Sequence, residues 1–229
     1  MWSDPDKLAD RRRVPAYYRE IYRQYQMPAD WLPDLAKKAR LCGLDFMCTT
    51  YLSEDIELVV PYVERWKVAS FEANDFDFIA AHPNDRPLIV STGMMNAYEL
   101  GKLAIHCRER CNHDTTFLHC TSKYPCPPQL ANVSAVRQMR DTLRAKVGLS
   151  DHTANPLTGA LAVSMGAEVI EAHIRNWRTE PANPDYLTAL SPKQAYDYVA
   201  NVREAEKMLG DGVKVPQQGE LMEYRVCSG

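Results

Sequence analysis

With 229 residues, 45 % of them hydrophobic, the chain has the length and apolar content for one large domain with a sizeable core. Its 27 basic and 30 acidic residues leave a formal net charge of −3, which removes any general electrostatic reason to bind nucleic acid. No run is long and apolar enough to cross a membrane, and the start MWSDPDKLADRRR lacks a signal-peptide core; with seven irregularly spaced cysteines, this predicts reduced thiols and a cytoplasmic location.

Residues 1–13 are charged, and Arg11-Arg12-Arg13 reads as a solvated helix end. Tyrosines at positions 17, 18, 22 and 25 have helical spacing, so residues 17–25 are predicted to be a helix packing an aromatic stripe on its neighbours. Asp30 is a candidate N-cap for a helix over 31–42, which Gly43 stops. A short buried strand at 44–48 leads to Thr49-Thr50, and Ser53 can cap a helix over 54–62. The pattern repeats with a strand at 66–69 and a helix at 76–81, then a strand at 87–90 and a helix at 97–111. A strand at 116–118 follows, and Pro127-Pro128 breaks the chain before a helix at 132–143. The run VGLS then ends in Asp151-His152, a small-residue helical stretch follows, and a strand at 168–170 ends in Glu171-Ala172-His173. After a polar loop over 175–188, Ser191-Pro192 start a last helix reaching about residue 209, and 210–229 has no clear period. Six strand–helix units with apolar strands predict an α/β fold with a parallel sheet covered by helices. A closed TIM (β/α)8-type barrel has eight strands, so the expectation is an incomplete barrel over residues 16–209, with a polar segment at 1–15 and a tail or linker at 210–229.

Polar residues recur where the strands stop: Thr49, Lys67 with Ser70 and Glu72, Ser91, Ser122, Ser150 with His152, and Glu171 with His173. In parallel barrels these ends form the active face. Hydroxyls, backbone amides and a lysine converging there suit a phosphate. Lys67 on a buried strand needs an anionic partner, either a ligand or Glu72 in a structural ion pair. His152 and His173 stand one strand–helix–strand step apart, at equivalent strand ends, and can share a divalent metal completed by water and substrate oxygens. Cys107 and Cys111, with His106 and His113 nearby, look superficially like a zinc cluster, but their helical spacing predicts buried thiols.

VGLSDHT followed by MGAEVIEAHI closely resembles the sialic acid synthase family, and GLDFMCTTY, WKVASFEAND, PLIVSTGM and LHCTSKYPCPP resemble family segments in the same order, across roughly residues 16–223. The resemblance implies a barrel transferase that condenses phosphoenolpyruvate with an N-acetylated amino sugar such as N-acetylmannosamine and releases phosphate. It implies Mn²⁺, with Mg²⁺ or Co²⁺ as alternatives, on His152 and His173, and catalytic roles for Lys67, Glu72 and His152. Thr49, Lys67, Ser70 and Ser91 would hold the phosphate, Ser122 and Ser150 the carboxylate, and Tyr124 and Asp185 would face the sugar.

This chain departs from the family in several places. Ser122 replaces an Asn found in some members, and the loop in EAHIRNW is unusual. Two family strands carrying a Glu and a Lys, and a C-terminal antifreeze-like domain, have no counterpart here. The expectations are therefore a synthase completed by another chain or by a homo-oligomer, or alternatively an inactive or split relative that binds metal or phosphate or serves assembly.

Overall fold

Six parallel strands follow one another in space as they do in sequence. They are β1 (Met47–Thr50), β2 (Arg65–Val68), β3 (Leu88–Ser91), β4 (Thr115–Cys120), β5 (Lys146–Asp151) and β6 (Val169–Ala172). The structure is a computed structural model describing residues 3–220. Its helices are α1 (Pro5–Arg12), α2 (Tyr17–Tyr25), α3 (Leu32–Leu41), α4 (Ser53–Val59), α5 (Phe76–Ala80), α6 (Ala97–Ile105), α7 (Ala135–Leu143), α8 (Thr158–Ser164) and α9 (Pro192–Leu209).

One face of the sheet buries Trp66, Val68, Leu88, Val90, Phe117 and Val147 against helical residues such as Ile56, Val59, Ile79, Leu103 and Val136. Strand residues alternate between faces, so the opposite face carries the register partners Thr49 and Lys67, then Ser91 beside Leu118, then Cys120, Ser150 and Glu171. The sheet is strongly curled. Neighbouring strands lie about 4.8 Å apart, so β2 and β6 would sit roughly 19 Å apart in a flat sheet. Yet Lys67 Nζ on β2 lies 3.6 Å from Glu171 Oε2 on β6, a gap that two side chains cannot bridge without curvature. Gly148 permits close packing inside the curl, since a Cβ there would lie 2.2 Å from the Val169 carbonyl oxygen. The architecture is thus an incomplete TIM barrel. Among the described residues β1 pairs only with β2, and β6 only with β5 within the sheet.

The last helix starts where the sequence places it, with the Ser191 hydroxyl accepting the Gln194 N–H and Pro192 at the first turn. The first strand is displaced. Leu44 N–H bonds to the Ala39 carbonyl and Gly43 has φ +69°, so residues 43–44 complete the end of α3 and β1 begins only at Met47. Its position at the sheet edge leaves Met47, Cys48 and Thr49 half-buried rather than buried. Asp30 does not cap α3, because a 3₁₀ turn over Ala29–Trp31 leads into that helix. The helix expected over 97–111 ends at Ile105 and widens into a π-type turn, His106–Arg110.

The amino-terminal stretch is folded onto the strand ends. The Asp4 carboxylate accepts the Asp6 and Lys7 N–H groups and starts α1, whose Leu8 and Ala9 are buried. The Ser3 hydroxyl bonds to Asp55 on α4, Arg11 pairs with Asp75, and Tyr25 on α2 donates to the Ala182 carbonyl in the loop after β6. The α1–α2 hairpin therefore reaches from the β1–β2 side of the sheet to the β6 side.

Candidate active site

Lys67 is 3 % exposed and points into the curl. Its ammonium donates to the Val68 carbonyl and the Ser91 hydroxyl, both at 2.9 Å, with the Glu171 carboxylate at 3.6 Å. Burial pushes the ammonium below its ordinary pKa, and the Glu171 charge opposes that. Glu171 also accepts the Ser150 hydroxyl at 2.7 Å. Lys67 thus has the anionic partner its burial demands, but that partner is Glu171 rather than Glu72. Thr49 stands beside it in the register.

A second cradle adjoins this one. Ser70 Oγ accepts the Gly93 N–H at 3.0 Å. A Cβ on Gly93 would lie 2.1 Å from Ser122 Oγ and 2.9 Å from Ser70 Oγ, so glycine is what lets the two hydroxyls approach. Ser70 and Ser122 thus both line Gly93 at the mouth of the curl, with Cys120 Sγ 3.9 Å from Ser122 Oγ.

His152, just after β5, is 3 % exposed. Its Nδ1 lies 2.9 Å from the Thr121 carbonyl oxygen; a carbonyl only accepts, so Nδ1 carries the proton. The Cys120 thiol, 3.8 Å away, is a distant second neighbour of that nitrogen. Nε2 has only a 3.4 Å contact with Ser150 Oγ, whose own proton is directed to Glu171. His173, just after β6, has Nδ1 3.3 Å from Asp185 Oδ2, and the contact holds the Asp185 carboxyl below its usual range. The two imidazole centroids are 5.3 Å apart, and the Tyr124 ring lies 4.0 Å from His152 and 5.5 Å from His173. Engaging Nδ1 on an oxygen while leaving Nε2 outward is how metal-binding histidines are oriented. This donor set fits a divalent ion. Among the described residues no three His, Cys, Asp or Glu side chains converge on a common point, so water and substrate would complete the coordination.

Glu72, 1 % exposed, is held from another direction. Arg12 of α1 meets it with both arms of its guanidinium, Nε to Oε1 at 2.7 Å and Nη2 to Oε2 at 2.8 Å. The expectation of a solvated arginine cluster is corrected for Arg12, because a carboxylate as buried as Glu72 requires a cation, and for Arg11, which pairs with Asp75 and lies over the Phe78 ring.

The structure gathers Thr49, Lys67, Ser91, Ser150, His152 and His173 inside the curl, with Ser70 and Ser122 beside them and Tyr124 and Asp185 around the histidines. Glu171 belongs to the same network; the sequence pattern marks it as a strand-end residue but gives it no role. Its register with Ser150 was the available signal. Arg12 was hidden in a charged run; the Asp4-Pro5 helix start just upstream was its clue. Away from the strand ends, Cys107 is buried, and Cys111 Sγ contacts His106 Nε2 at 3.2 Å while that nitrogen also meets the Phe76 carbonyl.

The NeuB family pattern matches residues 5–214. The N,N'-diacetyllegionaminic acid synthase of Legionella pneumophila is 34 % identical over 82 % of this chain and 54 % of its own length. The pseudaminic acid synthase of Campylobacter jejuni is 32 % identical over 96 % and 63 %. This chain therefore spans between half and two thirds of the length of these two relatives. Among solved structures, the N-acetylneuraminic acid synthetase of Leptospira borgpetersenii superposes with a TM-score of 0.84 at 22 % identity, covering 99 % of this chain and 85 % of that one, and shares its fold. The spore coat polysaccharide biosynthesis protein spsE of Bacillus subtilis gives 0.76 at 26 % identity, over 96 % and 60 %. With the family pattern running from α1 to just beyond α9, the chain belongs to the NeuB family, that of the sialic acid synthases its motifs resemble.

Proposed function

We propose that this chain supplies the phosphate- and metal-holding part of a synthase that joins phosphoenolpyruvate to an N-acetylated amino sugar of the N-acetylmannosamine type, giving a nonulosonic acid and phosphate. The observation that carries the proposal is Lys67, a buried ammonium bonded to the Ser91 hydroxyl and facing the Glu171 carboxylate, two residues before His173, across the curl. Thr49, Lys67, Ser70 and Ser91 hold the phosphate, and Ser122 and Ser150 the carboxylate. Tyr124 and Asp185 face the sugar. His152 and His173 would hold a divalent ion, Mn²⁺ or in its place Mg²⁺ or Co²⁺, which would supply Lewis-acid polarisation of the sugar aldehyde.

The methylene carbon of phosphoenolpyruvate bonds to the aldehyde carbon, whose oxygen takes a proton to become a hydroxyl. Water adds to the resulting cation at the phosphate-bearing carbon and gives up a proton. The carbon–oxygen bond to phosphate then breaks as the new hydroxyl gives up its proton, which leaves on the phosphate, and a ketone remains. On this reading Glu72 acts near that cation and the attacking water, while Lys67 and the hydroxyls carry the charge of the departing phosphate.

The open sides of β1 and β6 set the condition for this activity. The β6 side borders a groove of about 320 Å³ that mixes Ile170, Ile174 and Val199 with Glu168, Arg203 and Glu206. Strands from a second polypeptide, or from a homo-oligomer, complete the barrel there. The same open sides favour a second reading, a non-catalytic protein that binds metal or phosphate or serves assembly.

Phosphate release from phosphoenolpyruvate with Mn²⁺ and a panel of N-acetylated sugars tests the choice, using the chain alone and with a polypeptide that supplies strands at the open sides of β1 and β6. The expected result is little release from the chain alone and sugar-dependent release once the strands are added. Binding of phosphoenolpyruvate and Mn²⁺ without release in either preparation selects the second reading.

A further inference from the structure

Arg12 reaches Glu72 from outside the sheet. Its guanidinium carbon lies 4.9 Å from the centroids of both the Tyr51 and Phe71 rings and 5.8 Å from that of Tyr22. Three rings and a carboxylate therefore surround a cation whose side chain is 12 % exposed. The charged and titratable groups around Glu72 are Arg12 from α1, Tyr22 from α2, Tyr51 after β1 and Lys67 on β2. Burial raises the Tyr51 hydroxyl to about 12, so it stays neutral near neutral pH. Lys67 is committed to Ser91, Val68 and Glu171. Arg12 is thus the cation bound directly to Glu72.

A carboxylate buried to this degree without a cation takes up a proton instead of staying charged. The two-armed contact also fixes the carboxylate plane, as a lysine's single ammonium does not. It occupies one side of each oxygen, and an ionised carboxylate has about four acceptor sites, so others remain for water or substrate. We propose that Arg12 is a positioning residue, supplying the counter-charge of the Glu72 carboxylate and fixing its orientation. Its consequence for catalysis rests on the role given to Glu72 above; its effect on Glu72 does not.

The test uses the full chain labelled with carbon-13 at the glutamate carboxyls, with Glu72→Gln identifying the Glu72 signal. Arg12→Gln is expected to raise the proton affinity of Glu72 about tenfold or more relative to the parent chain. Arg12→Lys, which keeps the charge and loses the fork, is expected to fall between them and serves if the Gln variant does not fold. In the preparation that turns over, Arg12→Gln lowers kcat with little change in KM for phosphoenolpyruvate and moves the acidic limb of the pH profile to higher pH. A Glu72 titration unmoved in both variants overturns the proposal and leaves Arg12 a structural pair. A rise in kcat at neutral pH also overturns it, since Arg12 would then be blocking Glu72. If the parent chain releases no phosphate in any preparation, the synthase reading fails while the titration still decides the role of Arg12.

Discussion

His82 and His152 are nearly equally buried, at 2 % and 3 % exposure, yet they do opposite things in the fold. His82 has both ring nitrogens engaged, Nδ1 with the Phe78 carbonyl at 2.9 Å and Nε2 with the Thr50 hydroxyl at 2.8 Å, and its edges meet Trp66 and Phe78. His152 has Nδ1 fixed on a carbonyl, while Nε2 is left with a 3.4 Å contact to a hydroxyl already donating elsewhere. A second imidazole and a tyrosine ring stand beside it. Between these two, burial does not separate the structural histidine from the available one; the uncommitted nitrogen does.

The largest effect should come from removing that nitrogen and its neighbour. The double variant His152→Ala, His173→Ala is expected to lose Mn²⁺ affinity by about 100-fold or more while retaining its circular dichroism. His82→Gln in the same calorimetric experiment should bind Mn²⁺ like the parent chain. Equal losses in the two would erase the distinction between the sites.

Lys67→Met comes next, because it removes a charge-assisted contact without opening a large hole. Phosphoenolpyruvate or inorganic phosphate should bind about 10- to 100-fold more weakly, with sugar binding little changed. Equal weakening of both ligands, with altered circular dichroism, would make Lys67 a structural partner of Glu171 and nothing more. Gly93→Ala should disturb the Ser70–Ser122 cradle and cost about 1 to 3 kcal/mol in urea unfolding. Adding Ser122→Ala should recover part of that loss, because the added Cβ would come closest to the Ser122 hydroxyl.

The effect confined to acid pH, absent at neutral pH, is the pH signature of His82. Burial outweighs its carbonyl hydrogen bond and lowers its pKa from 6.5 to about 4. The unfolded chain thus takes up a proton at higher pH than the folded one. The neutral ring's contribution is complete above about pH 6.5 and is lost as the pH falls toward 4, by up to about 3 kcal/mol. His82→Gln should flatten the fall in unfolding free energy between these two values. An unchanged slope would remove His82 as its source.

Much of this arrangement was legible in the sequence because it is local. Alternating apolar runs and helical periods gave the six parallel strands, and Ser191-Pro192 marked the start of α9. The strand-end histidines and hydroxyls stood out by recurring at the same point of successive units. The partners of Lys67 and Glu72 were not legible, because they arise from curvature and from docking of a distant helix. Glu171 is four strands away from Lys67, and Arg12 is 60 residues from Glu72. No local pattern encodes either approach. The start of β1 was misplaced because Leu44, which reads as strand, is used in the turn that ends α3.

The most direct test of the strand-end site is a crystal of the chain grown with Mn²⁺ and phosphoenolpyruvate, measured at the manganese absorption edge. An anomalous peak shared by Nε2 of His152 and His173, with the phosphate on Lys67 and Ser91, is the predicted result. Manganese bound elsewhere, or phosphoenolpyruvate bound away from Lys67 with both histidines unliganded, would contradict it.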